Sequence, residues 1–446
     1  MLEASIYTQV LVFLPIHGKA TPFFDYQVPP ALADEVRPGA MVAVPFRERR
    51  LPALVWSLSE TPSVPRTRPI ADVLTAPVLS APLRALARWM ARETLAPLYE
   101  CVQIMLPPGM RTDSLSEFKQ GIRPKTVRMA SLAAPRSAWA ERMDGLRLVD
   151  LYTSILEYLE QAGGAVDVST VYAETGAEYR HLQMLHERGL VDFTHEERIR
   201  DPLADMLFTP TEAPDLLPDQ QKVWQVVQTS LEAPLGETGA PVLLLGVTGS
   251  GKTEIYLRAT ARALTQGRQA LILVPEISLT PQTVRRFVVR FGEQVGVWHS
   301  GMSAGERADT WRRVRQGELT ILVGARSALF APFPALGLIV MDEEEDTSYK
   351  ALQRPYYHAR ETAEALAKQT GALFIMGSAT PSLEAYVRAR QGRYRLLEMP
   401  RRVLSHRRRV EDWQRVLDLS QSRYEALPDA PAVCTISLPP VRIVDM

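Results

Sequence analysis

The sequence predicts a multidomain α/β chain: a small β-domain, a compact helical unit closed by a strand, and a lobe whose parallel sheet is covered by helices. Three observations carry that expectation. The first hundred residues are rich in Pro and Gly and break into short apolar runs; residues 148–193 switch to apolar side chains at helical spacing; and from about Leu207 buried strands alternate with helices. With 446 residues and 46% hydrophobic side chains, the chain has length for several domains of ~100–200 residues and apolar mass for their cores.

Residues 1–110 read as the β-domain. The apolar runs Val10–Leu14, Met41–Val44 and Ala53–Trp56 are separated by Pro29-Pro30, Pro38-Gly39 and the Arg47–Arg50 cluster. Leu83, Leu86, Trp89 and Met90 then recur at helical spacing, and Pro107-Pro108-Gly109 closes the unit. Residues 111–147 mix polar and basic side chains without periodicity and read as a linker. In residues 148–204, Leu148, Leu151, Ile155 and Leu159 form one apolar stripe that ends at Gly163-Gly164. A short helix around Val168–Ala173 turns at Thr175-Gly176 into another, whose Tyr179, Leu182 and Leu185 are expected to face inward, and Leu190–Phe193 reads as a strand. That order is the winged-helix pattern, a unit that docks either DNA or protein.

Residues 205–400 supply five apolar runs: Val242–Leu245, Ala270–Val274, Leu319–Val323, Leu336–Met341 and Ala372–Met376. Continuous apolar strands between helices imply a parallel sheet covered on both faces, with ligands at the carboxyl ends of the strands. Residues 401–446 read as a basic tail. From Arg388 to Arg409 nine arginines face one acid, Glu398, either as a solvated surface or as a phosphate track.

Composition narrows the function. Fifty-one basic and 51 acidic residues give zero net charge, so contacts with a polyanion are expected from local patches. Two cysteines, Cys101 and Cys434, exclude a disulfide-built module and a four-cysteine zinc site, so no zinc is expected. The longest apolar runs fall far short of the ~20 residues that span a bilayer, and no signal-peptide pattern opens the chain. The expectation is a cytoplasmic protein without membrane contact.

Gly246-Val-Thr248-Gly249-Ser250-Gly251-Lys252-Thr253 satisfies G-x-x-x-x-G-K-[ST] between an expected strand and an expected helix, Glu254–Leu264. Glycines let backbone N–H groups and the helix N-terminus surround phosphate oxygens. Lys252 supplies a point charge and Thr253 a hydroxyl for Mg²⁺, so ATP and Mg²⁺ are the expected cofactors. The fourth strand of the lobe delivers Asp342-Glu343-Glu344-Glu345-Asp346 at its carboxyl end, where Asp342 is expected on the metal shell and Glu343 on the attacking water. No clear arginine finger stands out; Arg326 is near in fold order and is expected to serve DNA or internal coupling.

The surrounding strings narrow the field further. Val274-Pro-Glu-Ile-Ser-Leu-Thr-Pro-Gln282, His299-Ser-Gly301, Gly324-Ala-Arg-Ser-Ala-Leu-Phe330, Asp342–Tyr349 and Gly377-Ser-Ala-Thr-Pro-Ser382 occur in that order. Together they resemble the PriA family of superfamily-2 DNA helicases, which restarts bacterial replication at stalled forks; Phe24-Asp25-Tyr26 and Val441–Met446 are similar to segments of that family too. The resemblance implies a RecA-like lobe. It implies that Phe24, Asp25 and Tyr26 hold the 3′ end of a nascent strand, and that Gln220 or Gln221 reads adenine. Ser378, Ala379 and Thr380 would link nucleotide state to DNA grip. Tyr356, Tyr357, His358 and Arg360 resemble a loop that contacts single-stranded DNA; aromatic faces stack on unpaired bases while guanidiniums neutralise phosphate. The bland alternative is that those tyrosines belong to the core.

Three departures from the family pattern bear on activity. Glu345 stands where the family usually has the His that relays DNA binding to hydrolysis. The chain ends about 65 residues after Ser382, too few for a second motor lobe or a cysteine-rich zinc module. Leu404–Pro428 resembles an insertion, with Val410, Trp413 and Val416–Leu417 on a short amphipathic helix. The expectation is therefore a fork-recognising replication restart protein that binds ATP, hydrolyses it weakly or not at all, and does not unwind DNA by itself. Its expected partners are branched and single-stranded DNA, restart proteins, the replicative helicase loader and single-stranded DNA-binding protein. The alternatives are the amino-terminal part of an ATP-driven 3′-to-5′ helicase and a nucleotide-switched regulator with a winged helix.

Overall fold

The computed structural model describes residues 6–15, 23–204, 206, 208–210, 213–234, 239–406, 425–427 and 430–436. They form two compact units, one of Ile122–Asp201 and one that joins the residues up to Gly121 with those from Pro202 onward.

The second of these begins with the expected β-domain. Strands β1 (Ile6–Val12), β2 (Phe23–Val28), β3 (Met41–Phe46), β4 (Arg49–Ser59), β5 (Arg68–Pro69) and β6 (Asp72–Thr75) make one sheet in the order β5-β2-β1-β4-β3-β6. Alternation sends Val10, Val12, Val42, Val44, Ala53 and Val55 to one face and Leu11, Met41, Leu54 and Trp56 to the other. Helix α1 (Ala81–Glu93) buries Leu83, Leu86, Ala87 and Met90, and α2 (Leu98–Gln103) buries Cys101 and Val102. Helix α3 (Leu115–Gln120) is capped by Ser114, whose hydroxyl accepts from the Glu117 N–H.

The Ile122–Asp201 unit is larger than the expected winged helix. It comprises β7 (Lys125–Leu132), α4 (Trp139–Arg142), α5 (Val149–Ala162), β8 (Val166–Asp167), α6 (Val168–Thr175), α7 (Tyr179–Glu187) and β9 (Val191–Arg198). Strand β7 pairs with β9 from Lys125 opposite Arg198 to Leu132 opposite Val191, and with β8. The stretch expected as a linker is thus partly sheet. Its apolar residues sit among Lys and Arg, and its partner strand is distant in sequence, so no local pattern announces it. Tyr179, expected inside, is 56% exposed, because it opens α7 and lies beside the Arg128 guanidinium.

The lobe contains α8 (Pro218–Glu232), β10 (Val242–Gly246), α9 (Lys252–Thr265), β11 (Gln269–Leu273), α10 (Pro281–Phe291), β12 (Val295–Trp298) and α11 (Ala304–Gln316). It continues with β13 (Ile321–Gly324), β14 (Leu336–Asp342), α12 (Ala359–Thr370), β15 (Leu373–Ser378), α13 (Leu383–Arg390) and β16 (Arg395–Met399). The sheet runs β12-β13-β11-β14-β15-β10-β16, with every pair parallel. The five expected strands form its middle, and short β12 and β16 add its edges. Two apolar layers cover it. One holds Val227, Leu244, Ile255, Ile272 and Phe287. The other is continuous with the core under α1: Leu86, Met90 and Met105 belong to the same cluster as Phe333, Leu366 and Phe374, and α1 packs on α12.

Beyond β16, strands β17 (Arg402–His406), β18 (Glu425–Leu427) and β19 (Ala430–Ile436) form an antiparallel sheet ordered β17-β19-β18. Both ends of the expected insertion, Leu404–His406 and Glu425–Leu427, are therefore strand, paired through β19. Val410, Trp413, Val416, Leu417 and Val441–Met446 lie outside the described residues.

Candidate functional site

The crossing point of the parallel sheet sets the site. Strands β10, β14 and β15 are neighbours, so Gly246, Asp342 and Ser378 end side by side at the carboxyl edge. From Gly246 the chain turns through an exposed Thr248 and Gly249, then Gly251 at φ +93°, into α9, which begins at Lys252. A Cβ at Gly251 would collide with the Gln220 amide nitrogen, and one at Gly246 would meet Ser250 Oγ at 2.6 Å. The loop keeps this close curl only with glycine at both places. Lys252 Nζ donates to the Gly246 carbonyl at 2.6 Å. Burial lowers its pKa, opposed by the carboxylates of Asp342, Glu345 and Glu343.

Gln220 is buried and both ends of its amide are engaged: Oε1 accepts from Leu217 N–H at 2.9 Å and Nε2 donates to the Ser250 carbonyl at 3.0 Å. It supports the phosphate loop, while Gln221 is exposed. Ser250 Oγ is buried and has no hydrogen-bond partner among the described residues, a polar atom left over inside the loop.

The five acidic residues do not form a solvated tail; four of them hold different parts of the lobe. Asp342 Oδ1 accepts from Tyr256 OH at 2.9 Å, made possible by Gly377, where any Cβ would overlap that hydroxyl. Burial raises the Asp342 carboxyl's pKa, against the Tyr256 hydrogen bond and the Lys252 charge. Glu343, at φ +50°, accepts from Ser278 Oγ at 3.1 Å. Glu344 is buried and takes the Ser382 N–H at 2.6 Å and the Arg360 guanidinium at 2.9 Å. Glu345 Oε1 accepts from Thr380 Oγ1 at 3.1 Å, while its Oε2 is buried with no hydrogen-bond partner among the described residues. Thr380 N–H in turn donates to Ser378 Oγ at 2.9 Å, and Ala379 bridges the two in a half-buried turn. The Glu345 carboxylate thus contacts the Ser-Ala-Thr turn.

Thr253 and Asp342 present the hydroxyl and carboxylate oxygens that Mg²⁺ favours, beside a glycine cradle and Lys252, so the residues fit a magnesium nucleotide. Among the described residues no group of three or more His, Cys, Asp or Glu could hold a metal. Arg326 donates to the Ser348 and Lys350 carbonyls at 2.5 and 3.3 Å, which ties it to the loop after the acidic run.

The stretch expected to touch single-stranded DNA is split. Tyr356 is 59% exposed and Leu352 81% exposed. Tyr357 is buried edge-on to Phe330 at 5.2 Å, and burial pushes its phenol up to about 12. His358 caps α12, its Nδ1 accepting from the Arg360 N–H at 3.2 Å. Arg360 is buried between Glu344 and Glu361. Tyr357 and Arg360 are therefore removed from the surface expected to carry DNA. In the β-domain, Tyr26 is likewise core: its hydroxyl donates to the Pro45 carbonyl at 3.0 Å, and burial raises its pKa. Asp25 is held by Ser63, whose N–H donates at 2.6 Å, and half-buried Phe24 meets Phe46 edge-on at 5.2 Å. On the other face of the sheet from Phe24 and Tyr26, Phe23 and Trp56 lie 5.2 Å apart beside Arg88.

Sequence reasoning missed Tyr256 and Ser63, and it gave Ser278 and Ser382 no role of their own although both lie in the strings Val274–Gln282 and Gly377–Ser382. Their partners lie from 38 to 86 positions away, and no spacing rule reaches that far.

Family models of known proteins match two stretches of the chain. The family model described as 3′DNA-binding domain (3′BD), of PriA, matches residues 9–107, and that of the DEAD/DEAH box helicase matches residues 218–388. Replication restart protein PriA of Bacillus subtilis (strain 168) is 34% identical over 441 residues, covering 86% of this chain and 54% of the relative. That of Chlamydia pneumoniae is 33% identical over 401 residues, covering 89% and 51%. That of Haemophilus influenzae is 50% identical over 161 residues, covering 36% and 22%. The chain spans about half the length of the first two relatives. It belongs to the PriA family of replication restart proteins.

Proposed function

We propose that this chain recognises stalled or branched DNA forks through the 3′ end of a nascent strand, holds ATP with Mg²⁺ on its phosphate loop, and recruits the replicative helicase loader. The observation that carries this reading is the single apolar core joining α1 to α12, which makes the 3′-end domain and the nucleotide lobe one compact unit. Asp25 and Phe24 would face the strand end, with Tyr26 positioning them from the core. Magnesium would neutralise phosphate charge, while Lys252 and the loop N–H groups hold the phosphates and Glu343 orients water. Glu345 and Thr380 would report nucleotide state, and Tyr356 would stack on unpaired bases. The Ile122–Asp201 unit carries ten Lys and Arg against thirteen Asp and Glu, which favours a protein partner, such as the loader or single-stranded DNA-binding protein, over a phosphate backbone.

Turnover by this chain alone is weak. An arginine finger is worth about 10³–10⁵ in rate where one acts, and among the described residues Arg326, the candidate nearest in fold order, is bound to backbone carbonyls. The alternative, an amino-terminal part of an ATP-driven 3′-to-5′ helicase, is favoured by the half-length match to the relatives. A second lobe supplied on a separate chain and restoring unwinding would support it.

The test of fork recognition is equilibrium binding to three labelled DNAs over a salt series: a fork with a 3′-hydroxyl at the junction, the same fork 3′-phosphorylated, and plain duplex. The hydroxyl fork should bind about tenfold tighter, and the preference should persist as salt strips non-specific contacts. Asp25→Ala should remove it. Equal affinity for all three would refute the reading.

A further inference from the structure

Between α9 and α10 lies a cavity of about 490 Å³ whose wall includes Glu254, Leu257, Gln282, Arg285, Arg286 and Arg290. Its charges do not cancel. Glu254 accepts from Arg290 at 2.8 and 3.1 Å and from Arg258 at 3.1 Å, so one carboxylate already answers two guanidiniums. Arg285 and Arg286 are exposed and form no ion pair among the described residues. Arg286 instead reaches the phosphate loop, where Nη1 donates to Thr253 Oγ1 at 3.3 Å. In a loop of this type that hydroxyl is the protein's metal ligand. A guanidinium therefore stands within hydrogen-bond reach of the oxygen from which a magnesium nucleotide would hang. Two unpaired cations lining a concave wall raise the local concentration of anions, and a guanidinium grips phosphate in a bidentate fork that the Lys252 point charge cannot offer.

We propose that Arg286 is a phosphate-binding residue of the nucleotide site, supplied from within the chain, and that with Arg285 it lets the loop hold a nucleoside di- or triphosphate without a divalent ion. The proposal rests on the nucleotide reading above. It adds a residue that the loop motif does not contain, on the metal side of the loop. The sequence gives no spacing signal for it, because Thr253 and Arg286 are 33 positions apart and meet only when α10 packs beside α9.

The experiment titrates fluorescent methylanthraniloyl-ADP into the full chain, once with Mg²⁺ and once with EDTA. Wild type should weaken less than about threefold on going to EDTA, whereas Arg286→Ala should suffer a further loss of about tenfold in EDTA relative to Mg²⁺. Arg286→Lys should recover part of that loss, since it restores charge without the fork. Lys252→Ala should weaken binding by about ten- to a hundredfold in both buffers. If wild type binds only with Mg²⁺, or if Arg286→Ala changes both affinities by the same factor, the proposal is overturned while the nucleotide reading stands. If wild type binds in neither buffer, the nucleotide reading falls and this proposal with it.

Discussion

The phosphate loop and the Arg354–Arg360 stretch are both short strings that announce a ligand, and they fare differently when folded. In the loop the chemistry lies in the backbone. The curl of the loop admits only glycine at 246 and 251, and Lys252 and Thr253 follow from where the helix starts. In the second stretch the chemistry lies in which side chains reach water. Tyr356 faces out, Tyr357 faces Phe330, and Arg360 is enclosed by Glu344 and Glu361. A motif whose function is carried by backbone conformation survives translation from sequence to structure; one carried by exposure depends on what packs against it.

The sharpest way to break that contrast is Arg360→Ala. Removing one partner of a buried ion pair costs about 3–5 kcal/mol, so urea unfolding should show a large loss of stability. A surface DNA contact would leave the unfolding midpoint unchanged. Next in size, Lys252→Ala should weaken nucleotide binding by about ten- to a hundredfold, the worth of a charged hydrogen bond, without moving the midpoint. Tyr356→Ala should cost about 1–3 kcal/mol of single-stranded DNA binding at constant stability. No change in DNA affinity would leave the stretch without a DNA role.

The smallest effect is a pH signature. Burial alone would raise the Glu361 carboxyl, but His358 and Arg360 outweigh it and hold it at about 2, below its ordinary 4.5. A depressed folded pKa contributes stability in full above the unfolded value, and that contribution disappears as pH falls through the folded one. The deficit of Glu361→Gln should therefore be constant at neutral pH and shrink between pH 4.5 and about 2. A deficit that grows on acidification would contradict the pairing.

Much of the architecture is legible from residues alone, for identifiable reasons. β10, β11, β13, β14 and β15 are continuous apolar runs because helices cover both of their faces, and α1 shows its buried stripe directly. Strand β7 is hidden because only pairing with β9 makes it a strand, and the single core shared by α1 and α12 is a contact between segments about 280 residues apart. In the site, Asp342 and Lys252 follow from the loop and the strand end. Tyr256, Gly377 and Arg286 do not, since each acquires its role only through a neighbour brought by the fold.

On the proposed function, a 3′-end-reading domain and a nucleotide-binding lobe share one body whose own turnover is slow. ATP hydrolysis by the purified 446-residue chain, with and without a 3′-hydroxyl fork and with Lys252→Ala as the blank, tests it most directly. Nucleotide should be bound through Lys252, and turnover should stay at or below about 10⁻² per second with or without the fork. Fork-stimulated turnover of about 1 per second or faster, abolished by Lys252→Ala, would contradict it.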